Sequence, residues 1–219
     1  PVVVTVHDAI AERLPHLTLA GRADRVRWRI KQRLALRQSR AVITVSEASA
    51  RAIRETLGVP GDRVHVIGEA AAPVFRALPA DEIRARLAPF GVEPGSYFLY
   101  VGGISPHKNL TALVDAFGAV GVGAGQPRLL LTGDLDGDVF LSAVPTVRAA
   151  VDRSPASDRI TFTGYVPDDD LAALYGGAIA SVLPSLGEGF GLTAAESAAC
   201  GTPVIASRDP ALVELLGEA

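Results

Sequence analysis

A chain of 219 residues, 48% hydrophobic and 21% charged, carries apolar material for one large domain, or for one and a part, with a sizeable core. Its net charge of −3 leaves no basic surplus to coat a phosphate backbone, which argues against nucleic acid as a partner. The single cysteine, Cys200, excludes an internal disulfide and a thiolate zinc site, and no apolar run approaches the ~20 residues of a membrane span. Residues 2–6 open the chain as a β-branched run with the character of a buried strand. No basic region followed by an apolar core marks a signal peptide, so the cytoplasm is the expected location. A chain without methionine that opens inside a core strand is expected to be a piece of a longer protein.

Residues 24–38 predict a basic amphipathic helix with Trp28 and Leu34 among its apolar positions, and 41–45 the next strand. Ser46 is a natural N-cap for a helix ending near Gly58, and 64–67 is another short strand. Residues 68–73, with Pro79 further on, show no period and read as a linker. Alternation then restarts, with strands at 97–101, 128–132, 159–163, 178–183 and 204–206 and helices at 110–120, 139–151, 168–175 and 192–200. The expected fold is α/β, with parallel sheets covered by helices and nearly a whole doubly wound domain in the second half. The expected division is a partial first lobe at 1–72, a linker at 73–80 and a second lobe at 81–219. Asp168, Asp169 and Asp170 read as capping and first-turn acids, and Cys200 as a buried structural thiol.

In such sheets ligands bind beyond the carboxyl ends of the strands. The loop Gly102-Gly103-Ile104-Ser105-Pro106-His107-Lys108-Asn109 joins a buried strand to a helix. Two glycines let backbone approach a ligand, the helix start offers free N–H groups, and Lys108 adds a cation, which together describe a phosphate site. The plainer alternative is that the glycines serve the tight turn. In the loop before the 192–200 helix, amides from Phe190 to Thr193 would point at an anion. Glu196 lies about one turn into that helix, where the dipole keeps a carboxylate ionised to grip vicinal hydroxyls such as those of a ribose. Glu188 would face the sugar side of the same ligand. Taken singly, either glutamate reads as a solvated surface residue. Thr132-Gly133-Asp134-Leu135-Asp136 contains an Asp-x-Asp of the kind by which some enzymes hold a divalent metal on diphosphate oxygens; the favoured reading is a merely polar loop. His7, His16, His65 and His107 are scattered, with no metal-ligand spacing.

Glu188-Gly189-Phe190-Gly191-Leu192, with Glu196 eight positions after Glu188, resembles the glutamate-pair motif of retaining glycosyltransferases built from two Rossmann-like lobes, the GT-B fold of the group 1 and family 4 enzymes. Val101-Gly102-Gly103, Pro106 to Asn109, Phe162 to Pro167 and Cys200 to Val204 are similar to family segments in family order. His7-Asp8 and Val45-Ser46-Glu47 match the back half of the amino-terminal lobe. The resemblance implies transfer of a hexose from a GDP- or UDP-sugar to a saccharide or lipid-linked acceptor, with retention, without a metal or other cofactor, as in polysaccharide biosynthesis. It implies that Glu196 holds the ribose and that Glu188 and His7 meet the transferred sugar. Lys108 and the loop at Gly103 meet the diphosphate, Gly189, Phe190, Gly191, Leu192 and Thr193 bind phosphate and sugar through backbone, and Val166 offers backbone bonds to the base. His7, Lys108 and Glu188 are the expected catalytic set, with the leaving phosphate helping to take the acceptor proton.

The chain departs from the family where Gly103 replaces a frequent arginine and His107 another, so Lys108 works with one cation fewer unless His107 is protonated. Thr193 stands for a proline and Glu69-Ala70 for an asparagine-glycine. The competing readings are a degenerate homologue that binds sugar nucleotide without turnover, a metal-dependent Asp-x-Asp enzyme, and a glycoside hydrolase. The cations around Trp28 (Arg22, Arg25, Arg27, Arg29, Lys31, Arg33, Arg37) read first as a solvated helix face. The functional alternative is contact with a lipid-linked acceptor at an anionic membrane surface, which would place the protein peripherally at the inner face of the membrane.

Overall fold

The computed structural model describes residues 2–120, 125–135 and 141–217. Its elements begin with β1 (Val2–Thr5), α1 (Ile10–Arg13), α2 (Pro15–Thr18), α3 (Arg22–Gln38), β2 (Ser39–Thr44), α4 (Glu47–Leu57), β3 (Val64–Val66), α5 (Ala80–Leu87) and β4 (Tyr97–Val101). They continue with α6 (Leu110–Ala119), β5 (Arg128–Thr132), α7 (Val144–Arg153), β6 (Ile160–Gly164), α8 (Asp168–Gly177), β7 (Ala180–Leu183), α9 (Leu192–Ala199), β8 (Val204–Ala206) and α10 (Pro210–Leu216). They form two compact units: one takes the chain up to Glu69, Gly187–Gly191 and the chain from Arg208 on; the other takes Ala70–Leu186 and Leu192–Ser207.

The first unit holds the parallel sheet β1-β2-β3, with Val6, Leu36, Val42, Ile53 and Val64 in its core. Ser46 caps α4 as expected, its Oγ accepting from the Ser49 amide at 3.0 Å, and Gly58 ends the helix in the left-handed region at φ 68°. Two segments the sequence assigned to the second lobe group here instead. The Ser46 and Ser49 hydroxyls both donate to the Gly189 carbonyl, at 2.6 and 2.9 Å. The Glu214 carboxylate of α10 accepts from the Glu47 and Ala48 amides at 2.8 and 2.7 Å, which satisfies the start of α4. Residues far apart in sequence supply these partners, so no local signal announces them.

The second unit holds five parallel strands in the order β6-β5-β4-β7-β8. Alternate side chains serve opposite faces: Leu129 and Leu131 pack with α6 and α7 residues such as Val114 and Val147, while Leu130 packs with Ile83, Leu87 and Leu174. Both faces being covered is why the strands read as continuous apolar runs. The helix α5 has no counterpart in the sequence reading. Its only strong signal is the four-residue spacing of Ile83 and Leu87, and it is held tertiarily: a Cβ at Gly177 would lie 2.7 Å from Leu87 Cδ1. The stretch read as a linker is packed, with Phe75 buried and edge-on to Tyr175 at 5.9 Å. The helix expected at 139–151 begins at Val144, residues 139 and 140 lying outside the described residues. Asp168 to Asp170 occupy the first turn of α8, but Pro167 holds the cap position without a side-chain bond, and Asp170 pairs with Arg86 at 3.1 Å.

Candidate active site

The strand order puts the topological switch of the second unit between β4 and β7, because the chain runs from β4 outward to β6 and then returns to β7 and β8 on the other side. The loops leaving this edge are hydrogen-bonded in a row. The Gly102 amide donates to the Thr132 carbonyl at 3.0 Å and the Gly133 amide to the Gly164 carbonyl at 3.1 Å. Gly133 tolerates no side chain, since a Cβ there would lie 2.0 Å from the Gly102 oxygen. The Tyr100 hydroxyl donates to the Gly103 carbonyl at 2.7 Å and fixes the glycine turn.

Beyond it Pro106–Lys108 form a 3-10 turn, and Asn109 takes the left-handed conformation at φ 57° to start α6. Asn109 Nδ2 donates to the Pro184 carbonyl at 3.2 Å, and the Leu186 amide to the His107 carbonyl at 2.8 Å. The loops after β4 and β7 are thereby tied together at the switch point, with Lys108 in one and the approach to α9 in the other. The His107 imidazole is 4% exposed, its Nδ1 3.1 Å from the Ser105 hydroxyl. The His107 side chain is therefore buried, and its backbone carbonyl ties the two loops.

Glu196 sits in the middle of α9. The fully buried Tyr175 phenol donates to its Oε2 at 3.0 Å. Burial pushes the Glu196 carboxyl above the usual glutamate range; the Tyr175 bond opposes that shift and Asp168 adds to it. The sequence credits the helix dipole with keeping this group ionised; in the fold, burial works against ionisation. Burial, reinforced by Glu196, holds the Tyr175 phenol protonated, and burial pushes the Cys200 thiol up to about 11, in keeping with a structural thiol. Hydroxyls lock the surroundings: Thr202 Oγ1 donates to the Tyr175 carbonyl at 2.5 Å and Ser181 Oγ to Ser197 Oγ at 2.7 Å. Tyr175 escaped the sequence reading because it looks like an ordinary apolar position of its helix. Val166 is buried in the core beside the exposed Tyr165. Gly103, Lys108, Val166, Leu192, Thr193 and Glu196 all lie in this unit.

The first unit holds His7, Glu188, Gly189, Phe190 and Gly191. His7 follows β1 with its side chain 64% exposed, Nδ1 3.5 Å from Glu69 Oε1, so the glutamate that departs from the family pattern is its partner. A Cβ at Gly189 would meet the His7 carbonyl and Asp8 Cβ, each at 3.2 Å, so the loop passes His7 closely. Asp209 accepts from the Ala211 amide at 2.9 Å and from the Glu188 amide. Burial raises the Asp209 carboxyl, and these bonds oppose the rise. Its sequence signal was an aspartate before a proline at a helix start. Asp134 follows β5 and Asp136 lies outside the described residues; among the described residues no group of three or more His, Cys, Asp or Glu side chains could hold a metal. Among the same residues no helix is long and apolar enough to cross a membrane.

Residues 95–219 match the family described as "Glycosyl transferases group 1", and residues 1–70 match "Glycosyltransferase Family 4". The chain belongs to the group 1 glycosyltransferases. Among curated proteins it is similar to O-antigen chain mannosyltransferase B of Escherichia coli, 30% identical over 200 residues, covering 90% of this chain and 51% of the relative. It is also similar to D-inositol 3-phosphate glycosyltransferase of Rhodococcus erythropolis, 30% identical over 211 residues, covering 94% of this chain and 47% of the relative. The chain thus spans about half the length of these curated relatives. Anabaena HepE, solved in complex with UDP-glucose, matches with a TM-score of 0.82 at 24% identity, covering 100% of this chain and 56% of that one. This likeness assigns the fold, that of the two-Rossmann-lobe glycosyltransferases.

Proposed function

We propose that the protein transfers a hexose from a nucleoside diphosphate sugar to a saccharide or lipid-linked acceptor, with retention of configuration and without a metal ion. The observation that carries this reading is the joining of the β4 and β7 loops at the switch point, through Asn109 to Pro184 and Leu186 to His107. It holds Lys108 and the start of α9 at the edge where doubly wound sheets bind nucleotides. A relative that is a mannosyltransferase and a structural neighbour holding UDP-glucose support a hexose carried on a nucleoside diphosphate.

In this mechanism Glu196 accepts from the ribose hydroxyls, and Val166 meets the base through backbone. Lys108, the turn at Gly103 and the amides entering α9 meet the diphosphate. That group gains negative charge as the glycosidic bond breaks, so fixed donors and a cation aimed at it stabilise the transition state more than the bound donor. Each well-placed donor of this kind contributes a few kcal/mol, on the order of 10²-fold in rate. Glu188 and His7 are assigned to the transferred sugar. The leaving phosphate takes the acceptor proton.

A thermal-shift panel of UDP, GDP and ADP and their sugars identifies the donor, and transfer is then followed in the presence of a chelator. Stabilisation by one nucleotide, turnover with the chelator present and an unchanged anomeric configuration in the product are expected. An absolute need for a divalent ion would implicate Asp134 and Asp136 instead. An inverted product would overturn the retaining course, and tight nucleotide binding without turnover would identify a degenerate binder.

A further inference from the structure

We infer that Asp209 is a positioning residue for Glu188, which it holds by the backbone. The inference rests on the reading that Glu188 faces the transferred sugar. Glu188 stands between Gly187 and Gly189, and glycine on both sides leaves the direction of its side chain unset by local sterics. Groups far along the chain supply what the glycines do not. The Glu188 amide donates to the Asp209 carboxylate. On the other side the Gly189 carbonyl accepts from the Ser46 and Ser49 hydroxyls at 2.6 and 2.9 Å. A Cβ at Gly187 would lie 3.4 Å from Leu14 Cδ1, and one at Gly189 3.2 Å from the His7 oxygen, so the turn is packed as well as bonded.

Capping α10 does not account for Asp209. It begins that helix, and its Oδ1 accepts from the Ala211 amide at 2.9 Å. A cap needs a single acceptor, and at α4 the neutral hydroxyl of Ser46 supplies it. Asp209 is 9% exposed, and burying a carboxylate costs far more than burying a hydroxyl. What the carboxylate adds is further acceptor capacity and a charge, which together make a strong bond to the Glu188 amide. Holding Glu188 in place before the donor arrives removes an ordering cost from the reaction. A displacement of about 1 Å at such a group costs on the order of 10²-fold in rate.

The test reads turnover of the full chain as nucleoside diphosphate released from UDP-glucose or GDP-mannose, whichever the thermal-shift panel selects. Calorimetry with UDP or GDP alone reads nucleotide affinity. Asp209→Ala should lower kcat on the order of 10²-fold, and Asp209→Asn, which keeps one acceptor oxygen, about tenfold. Affinity for the nucleoside diphosphate should stay within about twofold, because its contacts are assigned to other residues. If the alanine variant does not fold, Asp209→Asn carries the test. Leu212→Val, at a buried position of the same helix, should lower the melting temperature and leave kcat unchanged. In a Glu188→Ala background either Asp209 substitution should change kcat by less than about twofold, because its effect passes through Glu188. Losses that multiply instead, a fall in nucleotide affinity matching that in kcat, or a like fall in kcat for Leu212→Val would overturn the inference. Full turnover by Glu188→Ala alone would instead remove Glu188 from the sugar site, and with it the reading on which the inference stands.

Discussion

Replacing Tyr175 by Phe removes one oxygen, the donor 3.0 Å from Glu196 Oε2, and leaves the buried ring against Phe75. A hydrogen bond to a charged acceptor contributes roughly 1.5–3 kcal/mol when buried. Glu196 is only partly buried, so water replaces some of that bond and about 1 kcal/mol remains; because the bond orients the carboxylate, nucleotide affinity falls by at most that amount, up to about fivefold. The sign of the pH effect follows from the same bond. A carboxyl that accepts from two ribose hydroxyls must be ionised, so affinity is full above its pKa and is lost as pH falls through it. Because burial raises that pKa, the loss in the native protein begins above the ordinary glutamate value of about 4.3. The Tyr175 bond lowers the pKa, so Tyr175→Phe moves the midpoint to higher pH. Calorimetric titration with the nucleotide from neutral pH downward measures both effects. An unchanged affinity together with an unmoved midpoint would refute the assignment of Glu196 to the ribose.

Lys108→Ala should lower kcat on the order of 10²-fold with little change in thermal unfolding, because its proposed work is on charge that develops at the leaving group; single-turnover kinetics beside a melting curve check this. Gly133→Ala should destabilise by about 1–3 kcal/mol or more, since the new Cβ would lie 2.0 Å from backbone, the Gly102 oxygen, which cannot rotate away; urea unfolding reads the loss. Ser49→Ala should cost about 0.5–1.5 kcal/mol, while Ser46→Ala should cost more, because it removes the α4 cap as well as a donor to Gly189. Equal losses for the two serines would contradict the double role of Ser46.

Local chemistry was legible where a short segment carries its own reason. β4, β5 and β8 run as read, because both faces of that sheet are covered and the strands are unbroken apolar runs. The Ser46 cap and the Gly58 stop were legible because an N-cap and a left-handed C-cap act within a few residues. The motif residues of the β4 and β7 loops gave the family, which the match over residues 95–219 bears out. Tertiary structure decided what depends on distant partners. The sequence places Glu196 near a helix start, but burial beside Tyr175 sets its proton affinity. The sequence leaves open whether His107 stands in for an arginine; packing buries its side chain, and its backbone carbonyl joins two loops. The Gly187–Gly191 segment reads as one loop of the second sheet, yet Ser46 and Ser49, some 140 positions earlier, hold its carbonyl. Periodicity and capping act over a turn or a strand, whereas desolvation and hydrogen-bond satisfaction depend on whichever groups the fold brings alongside.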